Sequence, residues 1–343
     1  MAKKARFGTG MGRHQTTLDI GEHAAAAEKY GFEHVTILDD ITLTRDVYVL
    51  LSVAAMSTSR ILLGQGVTHP YIRHPVQTAT ATASINELSK GRAFLGIGAG
   101  ALYGLIGHHN GTAKDLREAV LIARGLSRGE EVELSNGTKI HSPWMKDPFP
   151  IYVGSDGPYS MMLAAELADA TWVPNFDPTI ARWRMEMFER GLEKAKRRRE
   201  DFDIWLRTMV VLADSKEEGR DIARPYAATI AHQFAMAILL RDNQYTRALK
   251  SQLPQSLLDD YQRAWDAWDD YQHETFGAKH AEVVSDQIVD QTMIIGTPEQ
   301  VAEQINEILD IGYDGISMTV YLHRDPIKFW RDFHDHVTPL VEG

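Results

Sequence analysis

Short apolar runs alternate with helical patterns along nearly the whole chain, and that alternation leaves few folds open. Runs bounded by turn residues read as strands, and 3.6-residue periodicity between them reads as helix. Strand–helix alternation of this kind builds βαβ units around a parallel sheet. The strand runs fall at residues 6–11, 34–40, 60–68, 92–98, 150–154, 170–174, 204–213 and 315–321. Helical patterns occupy 18–30, 46–57, 76–88, 113–127, 158–167, 179–199 and 326–341, with further helix starts at Asp214-Ser215-Lys216 and Thr297-Pro298-Glu299. Eight strand candidates without a Gly/Ser-rich linker predict one α/β unit, a (β/α)8 TIM barrel, over residues 1–343. Two stretches break the rhythm. Asn136-Gly137 marks a β-hairpin insertion within about 131–149. A helix-rich stretch from about 225 to 290, with Trp265 and Trp268, is a helical insertion.

Composition narrows the function classes. A net charge of −11 argues against nonspecific nucleic-acid binding, and no window has the apolar length of a membrane span. The basic start Met1-Ala2-Lys3-Lys4 is followed by no apolar signal core, so a cytoplasmic location is expected. With no cysteine, thiolate chemistry is excluded. His108 and His109 lack partners at metal-ligand spacing, so no metal site is expected.

Barrels of this class place their ligands at the C-terminal ends of the strands. Gly154-Ser155-Asp156-Gly157-Pro158 follows an apolar strand and opens a helix. Its glycines permit close backbone approach, and helix-start N–H groups favour an anion such as phosphate. The same glycines also suit a plain βα turn. Gly64 and Gly66 mark a bulge or a close approach at the third strand, for a flat ring or for barrel closure. Asp39 and Asp40, read as strand residues, point to opposite faces, so at most one looks into the site. Arg73-His74-Pro75 reads as structural, with Arg73 on backbone carbonyls or a carboxylate. Trp265 and Trp268 read as packing, and Lys196-Arg197-Arg198-Arg199 as a solvated helix end.

The stretch from Arg60-Ile61-Leu62-Leu63-Gly64-Gln65-Gly66-Val67-Thr68-His69-Pro70 to Pro75 resembles the luciferase-like family, most closely its deazaflavin-dependent branch that includes methylenetetrahydromethanopterin reductase. Leu88-Ser89-Lys90-Gly91-Arg92, Leu95-Gly96-Ile97-Gly98, Ala164-Ala165-Glu166-Leu167-Ala168-Asp169 and Gly296-Thr297-Pro298-Glu299 continue the likeness. The resemblance implies a TIM barrel, a homodimer, a small-molecule substrate and hydride transfer with the deazaflavin coenzyme F420. An FMN-dependent monooxygenase and a non-catalytic flavin-binding barrel are the alternatives. It also implies that Gly66-Val67 is a non-proline cis peptide backing the ring, with Thr68 beside it and Gly98 at the next strand end. Asp39 is implied as an acid near the ring, and Gly154, Ser155, Asp156 and Gly157 as the phosphate loop.

Two departures matter. Asp40 stands where the family commonly has His. The loop Gly98-Ala99-Gly100-Ala101-Leu102-Tyr103 lacks the acid that several relatives carry there. The proton donor is then expected among His69, Asp39 and Asp40. His69 titrates nearest neutrality and is the leading candidate, with Asp39 ionised and orienting a partner.

Overall fold

The computed structural model describes residues 5–40, 44–100, 111–272 and 275–341. Tyr103, His108 and His109 lie outside the described residues. The elements run β1 Phe7–Met11, α1 Ile20–Lys29, β2 His34–Ile37, α2 Val47–Ser57, β3 Leu62–Gln65, α3 Pro75–Leu88, β4 Ala93–Gly98 and α4 Ala113–Ser127. A short hairpin of β5 Val132–Glu133 and β6 Lys139–Ile140 follows, with Gly137 at φ 82° in its turn. Next come β7 Ile151–Gly154, α5 Pro158–Leu167, β8 Ala170–Val173, α6 Pro178–Ala195, β9 Asp203–Thr208, β10 Val210–Leu212 and α7 Lys216–Phe234. The chain continues through a π-helical turn, Ala235–Leu239, to α8 Gln244–Lys250, α9 Gln255–Asp266 and α10 Asp286–Thr292. It finishes with β11 Ile294–Gly296, α11 Pro298–Ile311, β12 Gly315–Thr319 and α12 Pro326–His336.

Among the described residues, eight parallel strands close into a barrel in the order β1-β12-β9-β8-β7-β4-β3-β2. All eight expected strand regions contribute. The seventh, read from sequence as 204–213, is broken. Its first part, β9, stays in the wall, while β10 leaves it to pair in parallel with β11. The Thr208 hydroxyl, donating to the Thr292 carbonyl at 2.7 Å, pins the point of departure. Pro225 does not interrupt α7, which runs on to Phe234. Lys196, in the left-handed region at φ 54°, ends α6 earlier than the charge pattern suggests.

The barrel interior is plugged by rings, where branched aliphatic residues are the usual filling. Phe94 stacks on Tyr152 at 4.6 Å, and Trp172 and Trp205 complete the cluster around His34. The adjacent strand is bare beside two of them, with Gly8 paired to His34 and Gly64 paired to Phe94. A Cβ on Gly8 would lie 2.0 Å from His34, and one on Gly64 would lie 2.2 Å from Phe94. His34 bonds Ser317 at 3.1 Å. Burial, helped by Arg6 and Arg207, pushes its pKa down to about 3. The plug therefore carries a neutral imidazole and closes the barrel beneath its C-terminal mouth.

Candidate active site

Above the plug lies a cavity of about 680 Å³, between the strand C-termini and a roof built from the end of α7, the π-helical turn and Trp268. Its floor is formed where β3 ends. The chain leaves the wall at Gly66, whose N–H donates to the Ile37 carbonyl, and rejoins β4 at Thr68, whose N–H donates to the Gly96 carbonyl. The Gly66–Val67 peptide bond between these points is cis. A Cβ on Gly66 would lie 2.3 Å from Thr36 Cβ, so only glycine lets the chain pass so close to β2. The Val67 side chain sits over two bare positions. Cβ atoms on Gly98 and Gly154 would lie 2.9 and 3.1 Å from its two methyl groups.

Arg207, from β9, anchors this floor. One guanidinium nitrogen donates to the Gly66 carbonyl at 2.8 Å and another to the Tyr321 hydroxyl at 2.5 Å. Asp39 is 5% exposed, and its Oδ2 accepts from the Thr68 hydroxyl and from Arg73, both at 2.6 Å. Arg73 also donates to Asp46 at 2.8 Å, and Asp46 caps α2. Through Oδ2 the carboxylate of Asp39 holds the floor to its neighbours. Burial pushes the His69 imidazole below the ordinary histidine range, against the pull of Asp39 and Asp40. It is held by the main chain of Gly98 and Asp39. A neutral ring so held offers a hydrogen bond and disfavours the imidazolium needed for direct proton donation.

On the other side, Gly157 caps α5 and the first residues of that helix line the cavity. Ser155 turns its hydroxyl into the wall, 2.7 Å from the Thr171 hydroxyl. Asp156 lines the cavity. Burial pushes its carboxyl up, against the opposing pull of Arg184 and Arg207. Arg241 reaches the cavity from the end of the π-helical turn, its Nε donating to the Met236 carbonyl at 3.1 Å.

The sequence pattern of the luciferase-like monooxygenase family matches residues 3–315. The chain belongs to that family. Among its relatives, the 5,10-methylenetetrahydromethanopterin reductase of Archaeoglobus fulgidus is 32% identical over 303 residues, spanning 86% of this chain and 87% of its own. Among solved structures, the coenzyme F420-dependent tetrahydromethanopterin reductase of Methanopyrus kandleri superposes with a TM-score of 0.80 at 22% identity, covering 99% of this chain and all of its own. The oxygenating constituent of 3,6-diketocamphane monooxygenase from Pseudomonas putida, in complex with FMN, superposes at 0.66 with 18% identity, covering 98% and 99%. These two share the fold.

In this luciferase-like barrel, the residues expected at the ring and in the phosphate loop line the cavity, except Thr68, which sits behind it on Asp39, and Gly64, which lies lower in the wall against Phe94. Asp39 and Asp40 both line it, contrary to the opposite-faces expectation, because β2 ends at Ile37 and strand alternation no longer governs them. Arg73 takes the carboxylate role, on two partners. Trp268 packs against His232 at 4.1 Å, yet it also lines the cavity. Sequence reasoning missed Arg207, Arg241 and the α7 residues Tyr226 and Gln233 that face the cavity. Arg207 left one signal, a lone cation inside the apolar run Ile204-Trp205-Leu206-Arg207-Thr208. The others left none, since their approach to the mouth depends on the insertion folding back.

Proposed function

We propose that this chain is an F420-dependent oxidoreductase that moves a hydride between the deazaflavin and a small organic substrate. The observation that carries the reading is the floor of the cavity: a bulge at Gly66-Val67 set against bare Gly98 and Gly154, which fits a flat heteroaromatic ring. The Trp172 indole N–H in that floor has no hydrogen-bond acceptor among the described residues, a buried donor that a ring carbonyl would satisfy. The kinship with reductases of this cofactor class supports the same choice.

When bound, the deazaflavin supplies a two-electron hydride donor or acceptor. The protein does the rest. Gly66, Val67 and Thr68 support one face of the ring, and Asp39 holds that support through Thr68. Gly98 and Gly154 keep the backbone low. Gly157 and the first turn of α5, with Arg241 opposite, take the phosphate, and Ser155 holds their loop to the wall through Thr171. His69 and Asp40 meet the ring or substrate from the β2 side.

The test is a parallel titration of the purified protein with F420 and with FMN, read by cofactor fluorescence. Tighter binding of F420, by about tenfold or more, supports the proposal. FMN retained through purification, with no F420 binding, would replace it with the monooxygenase reading. The proposal includes a homodimer. Helix α2 has no charged residue from Val47 to Ser57, yet Val49 and Met56 are exposed on the outer ring. Light scattering checks the dimer.

A further inference from the structure

Several of the groups around the cavity are already committed. Asp39 is bound to Thr68 and Arg73. His69 is held by main chain, and Asp40 lies beside it on the β2 wall, its charge acting on that imidazole. Arg207 holds Gly66 and Tyr321. Asp156 differs, because its carboxyl makes no hydrogen bond or ion pair to any described residue. Its placement follows from the chain. Gly154 ends β7 and lies under a Val67 methyl group. Ser155 turns the other way, onto Thr171. Asp156, two residues beyond Gly154, lines the same cavity and feels the charge of Arg207, which holds the Gly66 carbonyl of the floor.

We propose that Asp156 is the proton donor of the reduction, in place of the acid that the loop after β4 lacks at Ala99 and Gly100. The proposal rests on the deazaflavin reading above. A bound reduced deazaflavin would supply the hydride, with both electrons, to the carbon of a polarised C=O or C=N bond. The π pair would pass to the heteroatom, where Asp156 would release its proton and be left as a carboxylate. The oxidised ring would shed its N–H proton, which solvent carries back to the carboxylate, so that acid and cofactor together deliver one hydride and one proton. In the reverse direction the same carboxylate accepts it.

The surroundings suit the role. Burial favours the protonated carboxyl, while Arg184 from α6 and Arg207 from β9 steady the carboxylate left after transfer. The remaining charged or titratable residues lining the cavity are Tyr159 on α5, Tyr226 and His232 on α7, Arg241, and Tyr321, whose hydroxyl accepts from Arg207.

Asp156→Asn tests this, with Asp156→Glu as the variant that keeps an acid. In the apoprotein near neutral pH, infrared difference spectra between unmodified protein and Asp156→Asn should contain a protonated-carboxyl C=O band assigned to Asp156. F420 affinity should stay within about threefold in both variants. Turnover with reduced F420 and acetone, whose carbonyl oxygen takes the proton, should fall by about 10² to 10⁴ in Asp156→Asn and recover in part in Asp156→Glu. Absence of the band, unchanged turnover, or loss of F420 binding by more than about tenfold in Asp156→Asn would overturn the proposal; the last result would make Asp156 a cofactor anchor. Failure of the unmodified protein to bind F420 is a separate result. It removes the deazaflavin reading and the proposal with it, whatever the infrared band shows.

Discussion

Gly98→Ala isolates the fit of the cavity floor. Gly98 is not among the positive-φ residues, so its backbone accepts alanine. The obstacle is Val67, whose nearer methyl group lies 2.9 Å from the new Cβ, where apolar carbons prefer about 3.5–4.0 Å. Its other methyl group faces Gly154, which has no Cβ, so the crowding is relieved by a turn of Val67 or a shift of the bulge. Either displaces the floor, at a cost of about 1–3 kcal/mol, the range for overpacking. Val67→Ala alone removes two half-buried methyl groups, costing roughly 1 kcal/mol. In the double variant the methyl group introduced at position 98 occupies the space Val67 vacates, so its cost should be near that of Val67→Ala alone. Urea denaturation of the four proteins gives the coupling energy, expected at about 1 kcal/mol or more and favourable. F420 titration should show the same rescue. Additivity within about 0.5 kcal/mol would refute the claim that these residues meet as described.

Arg73→Ala leaves the Asp39 carboxylate buried with only Thr68 as partner, and should cost about 3 kcal/mol in urea denaturation, with Arg73→Met/Asp39→Asn recovering most of it. A second test concerns acid stability. His34 has its folded pKa depressed from 6.5 to about 3, so its stabilising contribution is present above 6.5 and is lost as pH falls towards 3. That limb amounts to roughly 4–5 kcal/mol if expressed in full. Denaturation between those pH values should show it in the unmodified protein, and His34→Gln should flatten it.

The barrel was legible because each parallel strand is buried on both faces and reads as a compact apolar run between turn residues. Local chemistry also marked Asn136-Gly137 and the Ser215 cap of α7, whose hydroxyl accepts from the Glu218 N–H. What stayed hidden depended on distant partners. Residues 204–213 are apolar almost throughout, and nothing local distinguishes the part that stays in the wall from the part that pairs with β11. The three residues of β11 are too few to signal a strand. The candidate site divides the same way. Its glycines and acids stand at strand ends, where topology alone points. Arg207 shows in the sequence as a lone cation in an apolar run, but its role comes from the Gly66 carbonyl it reaches from 141 residues away. The role of His69 turns on burial, which no pattern of neighbours in sequence reveals.

The short pairing of β10 with β11 has a consequence for how such a barrel acquires a new roof. Val210 lies opposite Ile294 and Leu212 opposite Gly296, so the excursion that carries α7 to α10 departs and returns at adjacent points. Strand partners stand roughly 5 Å apart, and the entropy of closing a loop between fixed neighbouring ends grows only with the logarithm of its length. Lengthening, shortening or exchanging the segment therefore costs the eight-stranded wall little in loop-closure entropy. Beyond the clasp, the substrate-facing ceiling is held to the wall by a few side-chain and main-chain bonds, such as Asn175 to Tyr261 and Phe176 to Gln291, which an exchanged segment would have to keep. A ceiling transplanted between two such barrels at residues 212 and 294 would carry its preference for substrate with it.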